Sequence, residues 1–143
     1  MKWIETEVKV RFNEVDPWQM VWYGNYLSYF DAARLQLLEH FGLPINSAGL
    51  LDFKTPIVSL KCQFKTPARF NDHLSVRVTV LPSETASLTF LFEIQRPADQ
   101  ALIAAGETTH VLLDSEGKMI YKFPPALRDK IEAMITFCNP LAG

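Results

Sequence analysis

The sequence predicts an α+β fold in which a curved antiparallel sheet of five or six strands wraps around one long central helix. The first observation is a helical pattern over residues 23–41 with apolar residues almost all round, and such a helix belongs inside a structure. The second is a later series of alternating segments with short connections, which favours antiparallel pairing. A chain of 143 residues is typical of one unit, so we expect a single domain over residues 1–143.

The first elements along the chain are a strand and the long helix. The segment TEVKVRF at residues 6–12 alternates as a half-buried strand does. Asp16 precedes a proline, which disfavours helix at that point. Asn25 is suited to cap the start of the helix, and Gly42 followed by Pro44 is typical of its end.

Strand patterns follow and continue almost to the end of the chain, where a short helix begins at Pro124. An apolar helix embedded among such strands is satisfied only when the sheet curls around it, so the predicted arrangement is the hotdog fold. The strand segments are IVSLKCQFK (57–65), HLSVRVTVL (73–81), SLTFLFEIQ (87–95), ALIAAGETTHVLLD (101–114) and KMIYKF (118–123).

Composition and charge exclude several classes of function. A net charge of −2 and a pI near 5.9 argue against a general binder of nucleic acid or of a membrane surface. There is no apolar run of membrane-spanning length and no signal-peptide core at the N-terminus. Cys62 and Cys138 form no framework, so we expect free thiols in a reducing, cytoplasmic compartment. His40, His73 and His110 lack metal-ligand spacing, so we expect no metal and no cofactor.

The segment EVDPWQMVWYGNYLSYFDAAR at residues 14–34 is the unusual part of the sequence. Large apolar residues crowd directly behind a carboxylate, Asp16, although such clusters normally lie in a core and carboxylates do not. A second carboxylate, Asp31, follows on the predicted helix. The motifs that characterise the chain are DP at 16–17, V-aromatic-Y-x-NY at 21–26, DAA at 31–33, GLP at 42–44, TPIVS at 55–59 and D-x-L at 72–74.

With these motifs the chain resembles the hotdog-fold acyl-CoA thioesterases, and most narrowly the Asp-dependent 4-hydroxybenzoyl-CoA thioesterases. The resemblance implies a thioester hydrolase whose substrate is an acyl- or aryl-CoA. It also implies a homodimer or homotetramer, because hotdog proteins join their sheets and form sites between subunits. The alternatives are a short- or medium-chain acyl-CoA thioesterase and a non-catalytic protein that binds acyl thioesters.

The resemblance assigns the catalytic roles to Asp16 and to the backbone amide of Tyr23. Asp16 could attack the thioester carbonyl and form a mixed anhydride, or it could act as a general base on a water molecule. The amide of Tyr23, at the start of the helix, would stabilise the oxyanion, with Gly24 allowing close approach. The structural alternative for Asp16 is an Asx turn before the helix.

For Asp31, the resemblance implies a hydrogen bond from a hydroxyl group on the substrate ring. The structural alternative is an ion pair with Arg34, three residues further along the helix. The apolar residues of the segment either line the acyl pocket or belong to the core or to a subunit interface. They are Trp18, Met20, Trp22 and Tyr26.

Two features depart from the family pattern. Gln19 stands where many members carry a glycine in the catalytic loop. The hairpin LPSETASL at residues 81–88 has no basic residue, although basic residues of that turn hold the CoA phosphates in the resembled enzymes. Other cations could replace them, or the thioester could be carried by an acyl-carrier protein. The candidate phosphate-binding residues are Lys65 and Arg69, with Lys118 and Lys122 as further possibilities.

Overall fold

The computed structural model describes residues 1–43 and 53–140, so the predicted helix-ending Pro44 lies outside the described residues. The elements appear in the predicted order. A short 3₁₀ turn at Phe12–Glu14 leads from the first strand toward the long helix. The strands are β1 Ile4–Lys9, β2 Ile57–Phe64, β3 His73–Val80, β4 Ser87–Arg96, β5 Ala101–Leu113 and β6 Met119–Ile120, and the helices are α1 Tyr23–His40 and α2 Pro125–Cys138.

The strands form the predicted antiparallel sheet, in the order β1-β3-β4-β5-β2 with β6 paired to β5. The long strand β5 lies between β4 and β2. Strand β2, which comes first in sequence after α1, therefore forms one edge of the sheet. The backbone groups on its outer side have no neighbouring strand among the described residues.

The core lies between α1 and the concave face of the sheet. Phe30 on α1 stacks on Phe92 with ring centroids 4.6 Å apart. A Cβ at Gly106 on β5 would lie 2.4 Å from the Phe30 ring, so glycine is needed where the helix meets this strand. The largest fully buried side chains are Val10, Phe30, Leu37, Leu43, Leu74, Phe90, Phe92, Ile94, Ile103, Leu127, Ile131 and Met134.

The sheet wraps around α1 as predicted, but in the single chain it leaves part of the helix uncovered on the β2 side. The helix packs against β1 and β3, whereas clefts separate it from β2. As a result Tyr23 on α1 is 64% exposed, and Leu60 and Phe64 on the predicted inner face of β2 are 45% and 54% exposed. The apolar positions of α1 and β2 are those that the sequence predicts, but the single chain leaves part of this apolar surface exposed.

The predicted N-cap role of Asn25 is wrong. The helix begins at Tyr23, so Trp22 holds the capping position and makes no side-chain cap. Asn25 lies in the first turn, where its side-chain Nδ2 donates to the carbonyl oxygen of Glu14 at 2.8 Å. At the other end, Gly42 has φ +70°, the left-handed conformation expected where a helix stops.

Candidate active site

The loop between the 3₁₀ turn and α1 is closed by its own backbone. A bridge joins Val15 to Val21, and the Asp16 N–H donates to the Met20 carbonyl at 2.8 Å. The Gln19 N–H in turn donates to the Asp16 carbonyl at 2.9 Å. Gln19 has φ +62°, so the position where a glycine was expected does adopt the left-handed conformation that favours glycine.

The Asp16 carboxylate is held by this loop through one oxygen. Its Oδ1 accepts hydrogen bonds from the N–H groups of Trp18 at 2.9 Å and Met20 at 3.3 Å. This is the Asx-type turn that was the structural alternative. The hydrogen bonds of the described residues leave the second oxygen, Oδ2, without a partner, so the turn orients the carboxylate and keeps one oxygen available for chemistry.

A cavity of about 320 Å³ lies beside Asp16, between the start of α1 and the end of β2. The cavity brings together most of the predicted site residues and adds Phe64, which closes it from the β2 side. The predicted residues that line it are Asp16, Trp18, Met20, Tyr23, Tyr26 and Lys65.

Trp22 and Arg69 do not line this cavity. The Trp22 ring lies over Gly24, where an added Cβ would be 2.1 Å from the ring. Gly24 thus allows the close approach of a neighbouring indole, which is the role that the structure gives it. Arg69 is exposed and its backbone N–H donates to the Asp72 carboxylate at 2.9 Å.

Helix α1 begins at Tyr23, which lines the Asp16 cavity. The N–H groups of the first turn have no intrahelical acceptor, and the helix dipole adds partial positive charge there. The N–H of Trp22 donates to the Glu14 carbonyl at 2.9 Å, and that of Asn25 to the Trp22 carbonyl at 2.8 Å. No backbone acceptor is found for the Tyr23 N–H among residues 1–43 and 53–140.

The wall opposite Asp16 is fixed through Tyr26 and Ala68. The Ala68 N–H donates to the Tyr26 hydroxyl oxygen at 3.2 Å, and the Val21 N–H donates to the Ala68 carbonyl at 2.8 Å. Burial raises the pKa of Tyr26 above its ordinary value. The phenol therefore stays protonated and packs as a wall of the cavity, with its ring 5.6 Å from that of Phe64.

A second cleft, of about 530 Å³, lies further along α1 and contains Asp31. One Asp31 oxygen is 3.3 Å from the Arg34 guanidinium, so the predicted ion pair exists. The carboxylate is 61% exposed and the Arg34 side chain only 13%. The buried Arg34 Nε has no hydrogen-bond partner among the described residues. The pair therefore uses one contact and leaves hydrogen-bonding capacity on both groups in the cleft.

His110 is a wall residue of the second cleft that the sequence reasoning missed. Its Nδ1 is 3.0 Å from the Thr55 carbonyl and its Nε2 is 3.1 Å from the Thr108 hydroxyl. A carbonyl only accepts, so Nδ1 carries the proton and Nε2 accepts from Thr108. Burial lowers the pKa of His110, which keeps the imidazole neutral. The alternation along β5, which puts residues 108 and 110 on one face, was the available signal.

Of the four candidate phosphate-binding residues, Lys65 is the one at the rim of the Asp16 cavity. The Nζ of Lys118 lies 3.7 Å from the Oε2 of Glu116 on the surface. Lys122 borders a separate cleft between α2 and the 81–88 hairpin. In residues 1–43 and 53–140 no cluster of His, Cys, Asp and Glu is arranged to hold a metal ion. No helix of the same ranges is long and apolar enough to cross a membrane.

Comparison with known proteins places the chain in a family. The thioesterase-like superfamily model matches residues 10–131. A 4-hydroxybenzoyl-CoA thioesterase from Pseudomonas is 24% identical over 125 residues, covering 82% of this chain and 87% of the relative. A 1,4-dihydroxy-2-naphthoyl-CoA hydrolase from Prochlorococcus marinus is 24% identical over 137 residues, covering 92% of this chain and 90% of the relative. The solved structure of a gentisyl-coenzyme A thioesterase gives a TM-score of 0.77 at 25% identity, covering 87% of this chain and 99% of that protein's chain.

The chain belongs to the thioesterase-like superfamily, whose model matches most of its length. The hotdog fold predicted from the sequence is confirmed, and so is the class of enzyme, a thioester hydrolase. The similarity supports activity on acyl- or aryl-CoA thioesters.

Proposed function

We propose that this protein hydrolyses the CoA thioesters of hydroxylated aromatic acids and that Asp16 is its catalytic carboxylate. One observation carries the assignment. Among the described residues, Asp16 keeps one carboxylate oxygen without a hydrogen-bond partner and Tyr23 begins α1 without a backbone acceptor for its N–H, and both residues line the same cavity. A carboxylate and an unused amide donor on one apolar cavity are the two groups that thioester hydrolysis requires.

In the reaction, the thioester carbonyl oxygen accepts a hydrogen bond from the Tyr23 amide. In one route Asp16 attacks the carbonyl carbon, the CoA thiolate leaves, and water opens the resulting anhydride and frees Asp16. In the other route Asp16 takes a proton from a water that attacks the carbonyl carbon, and the tetrahedral intermediate then expels the CoA thiolate, which accepts that proton. In both routes the amide stabilises the developing oxyanion, a contribution of about 10²–10³ in rate for one donor. Trp18, Met20 and Tyr26 supply the apolar lining.

The aromatic preference rests on Asp31 and on the relatives. Asp31 offers an exposed carboxylate in a cleft otherwise lined largely by apolar side chains of α1 and β2. Such a group accepts a hydrogen bond from a ring hydroxyl, and two similar proteins are named for 4-hydroxybenzoyl-CoA and gentisyl-CoA. The second candidate is a short- or medium-chain acyl-CoA, which the apolar lining of both clefts would also suit.

A homodimer would bring the two carboxylates to one site. Strand β2 is an open edge with apolar side chains exposed on it, among them Val58 at 59% and Phe64 at 54%. Such an edge is a template for pairing. If two copies pair antiparallel along β2, the Phe64 end beside Asp16 meets the partner's Ile57 end beside the partner's Asp31. The two clefts then become one.

Lys65 is our candidate for the CoA phosphates at the rim of the Asp16 cavity. Arg69 lies on the same segment after β2, outside the cavity lining. Lys65 would bind phosphate as a single point charge. The alternative is that an acyl-carrier protein, rather than free CoA, carries the thioester.

A cytoplasmic location stays a prediction from the unpaired cysteines.

The substrate assignment is tested by thiol release from 4-hydroxybenzoyl-CoA, benzoyl-CoA and hexanoyl-CoA, with wild type and Asp31→Asn. We expect the wild type to prefer 4-hydroxybenzoyl-CoA over benzoyl-CoA by about 10–10² in kcat/KM, the value of a hydrogen bond to a charged group. Asp31→Asn should lower kcat/KM for the hydroxylated substrate and leave benzoyl-CoA nearly unchanged. A wild-type preference for hexanoyl-CoA would return Asp31 to its ion pair and favour the acyl-CoA candidate.

A further inference from the structure

The carbonyl oxygen of Glu14 accepts two hydrogen bonds that bracket Tyr23. The backbone N–H of Trp22 donates to it at 2.9 Å, and the side-chain Nδ2 of Asn25 donates to it at 2.8 Å. Because a carbonyl only accepts, the nitrogen of the Asn25 amide must face it. Residue 23, whose backbone amide is the proposed oxyanion donor, lies between these two attachment points.

Glu14 is itself immobilised from the other side. Its side chain is buried, with the residue only 7% exposed. Its Oε1 accepts from the Arg11 N–H at 2.8 Å and from the Tyr29 hydroxyl at 3.1 Å. Burial together with the neighbouring Glu14 raises the pKa of Tyr29 well above its ordinary value, so this phenol remains a donor. Glu14 is thus a fixed point two residues before Asp16.

We propose that Asn25 is a positioning residue for the reaction: it ties the first turn of α1 to Glu14 and so sets the spacing between the Tyr23 amide and the Asp16 carboxylate. This inference rests on the proposed function. Asn25 touches neither reacting group through its side chain. It acts on the loop, which has to hold a nucleophile or base and an oxyanion donor in one productive geometry, and small displacements of such groups cost about 10²-fold in rate.

The test compares Asn25→Ala and Asn25→Asp with a matched control, Asn139→Ala. The side-chain Nδ2 of Asn139 also donates to backbone carbonyls, those of Val80 at 2.7 Å and Ile135 at 3.0 Å. It lies at the end of α2, outside the residues that line the Asp16 cavity. Asn25→Asp keeps the shape of the side chain but cannot donate to Glu14. Thiol release from 4-hydroxybenzoyl-CoA is measured for each variant, together with the thermal unfolding midpoint.

We expect both Asn25 variants to lower kcat by about 10–10² with KM changed less than about threefold, because the loss concerns the transition state. Asn139→Ala should lower the unfolding midpoint but leave kcat within about twofold. In an Asp16→Asn background the Asn25→Ala step should cost far less, since there is no carboxylate left to position. This loss of additivity is something that a merely structural asparagine would not produce.

The outcomes separate this inference from the proposed function. If Asp16→Asn removes turnover while kcat stays at the wild-type value in Asn25→Asp, the positioning role is wrong and the catalytic assignment stands. A rise in KM at constant kcat would also overturn it. If Asp16→Asn turns over as fast as wild type, the catalytic assignment itself fails. Should Asn25→Ala not fold, Asn25→Asp, alone and in the Asp16→Asn background, supplies the same comparison.

Discussion

At the scale of single residues, Gln19 shows that the loop after Asp16 carries backbone strain. Its φ of +62° lies in the left-handed region, where an L-residue with a side chain pays a steric cost that glycine avoids. The turn at residue 19 brings Met20 back to Asp16. The Met20 N–H donates to the Asp16 carboxylate and the Asp16 N–H donates to the Met20 carbonyl, and these hydrogen bonds offset the steric cost.

Gln19→Gly should therefore stabilise the fold by about 0.5–1 kcal/mol, since relief of the left-handed strain exceeds the added entropy of the unfolded chain. Urea unfolding followed by fluorescence measures the change. As a control, Gln36→Gly replaces an exposed residue inside α1 and should destabilise by about 0.5–1 kcal/mol. Equal destabilisation by both substitutions would show that the conformation at residue 19 carries no strain.

Much of the Asp16 cavity could be predicted from the sequence because its residues are close in the chain. Asp16, Met20, Tyr23 and Tyr26 lie within one loop and one helical turn, so local spacing brings them together. Arg34 and His110 in the second cleft meet only because β5 passes under α1. Alternation along β5 places His110 on the same face as Thr108, but only the packing of α1 on the sheet shows that this face lines the cleft of Arg34.

At the scale of elements, β2 is the strand whose environment differs most from its pattern. Leu60 and Phe64 alternate as inward residues, and their partners on β5, Thr108 and Ala104, are buried. The side chains of β2 nevertheless remain exposed because clefts separate the strand from α1 and no strand of the described residues covers its outer edge. A pattern specifies which face is apolar, whereas the element that covers this face can belong to another molecule.

Leu60→Lys should therefore prevent the dimer that we propose, because it would place a charge in an apolar interface at Leu60, which is 45% exposed in the single chain. Sedimentation equilibrium should give twice 16.3 kDa for the wild type and 16.3 kDa for the variant. Gln63→Lys, on the opposite and solvent-facing side of β2, is the control and should remain dimeric. A wild-type protein of single-chain mass would contradict pairing along β2.

At the scale of the whole molecule, the fold was predictable because one long apolar helix and a series of antiparallel strands have few compatible arrangements. The strand order could not be predicted, because β2 pairs with β5 across about forty intervening residues. The periodicity of a strand does not indicate which distant strand it pairs with. The same limit applies to the assembly. The single domain over residues 1–143 stays a prediction.

The most direct measurement of the central claim is thiol release by Asp16→Asn beside wild type, with 4-hydroxybenzoyl-CoA binding followed by calorimetry. Asparagine keeps the oxygen that accepts from Trp18 and Met20, so the Asx-type turn survives while the carboxylate is lost. Asp129→Asn, on the exposed side of α2, controls for a general change of charge.

We predict that Asp16→Asn lowers kcat by at least about 10², that the substrate still binds within about threefold of wild-type affinity, and that Asp129→Asn is as active as wild type. Turnover by Asp16→Asn at the wild-type rate would contradict the account. Asp16 would then have only a structural role, in the turn that it forms with Trp18 and Met20.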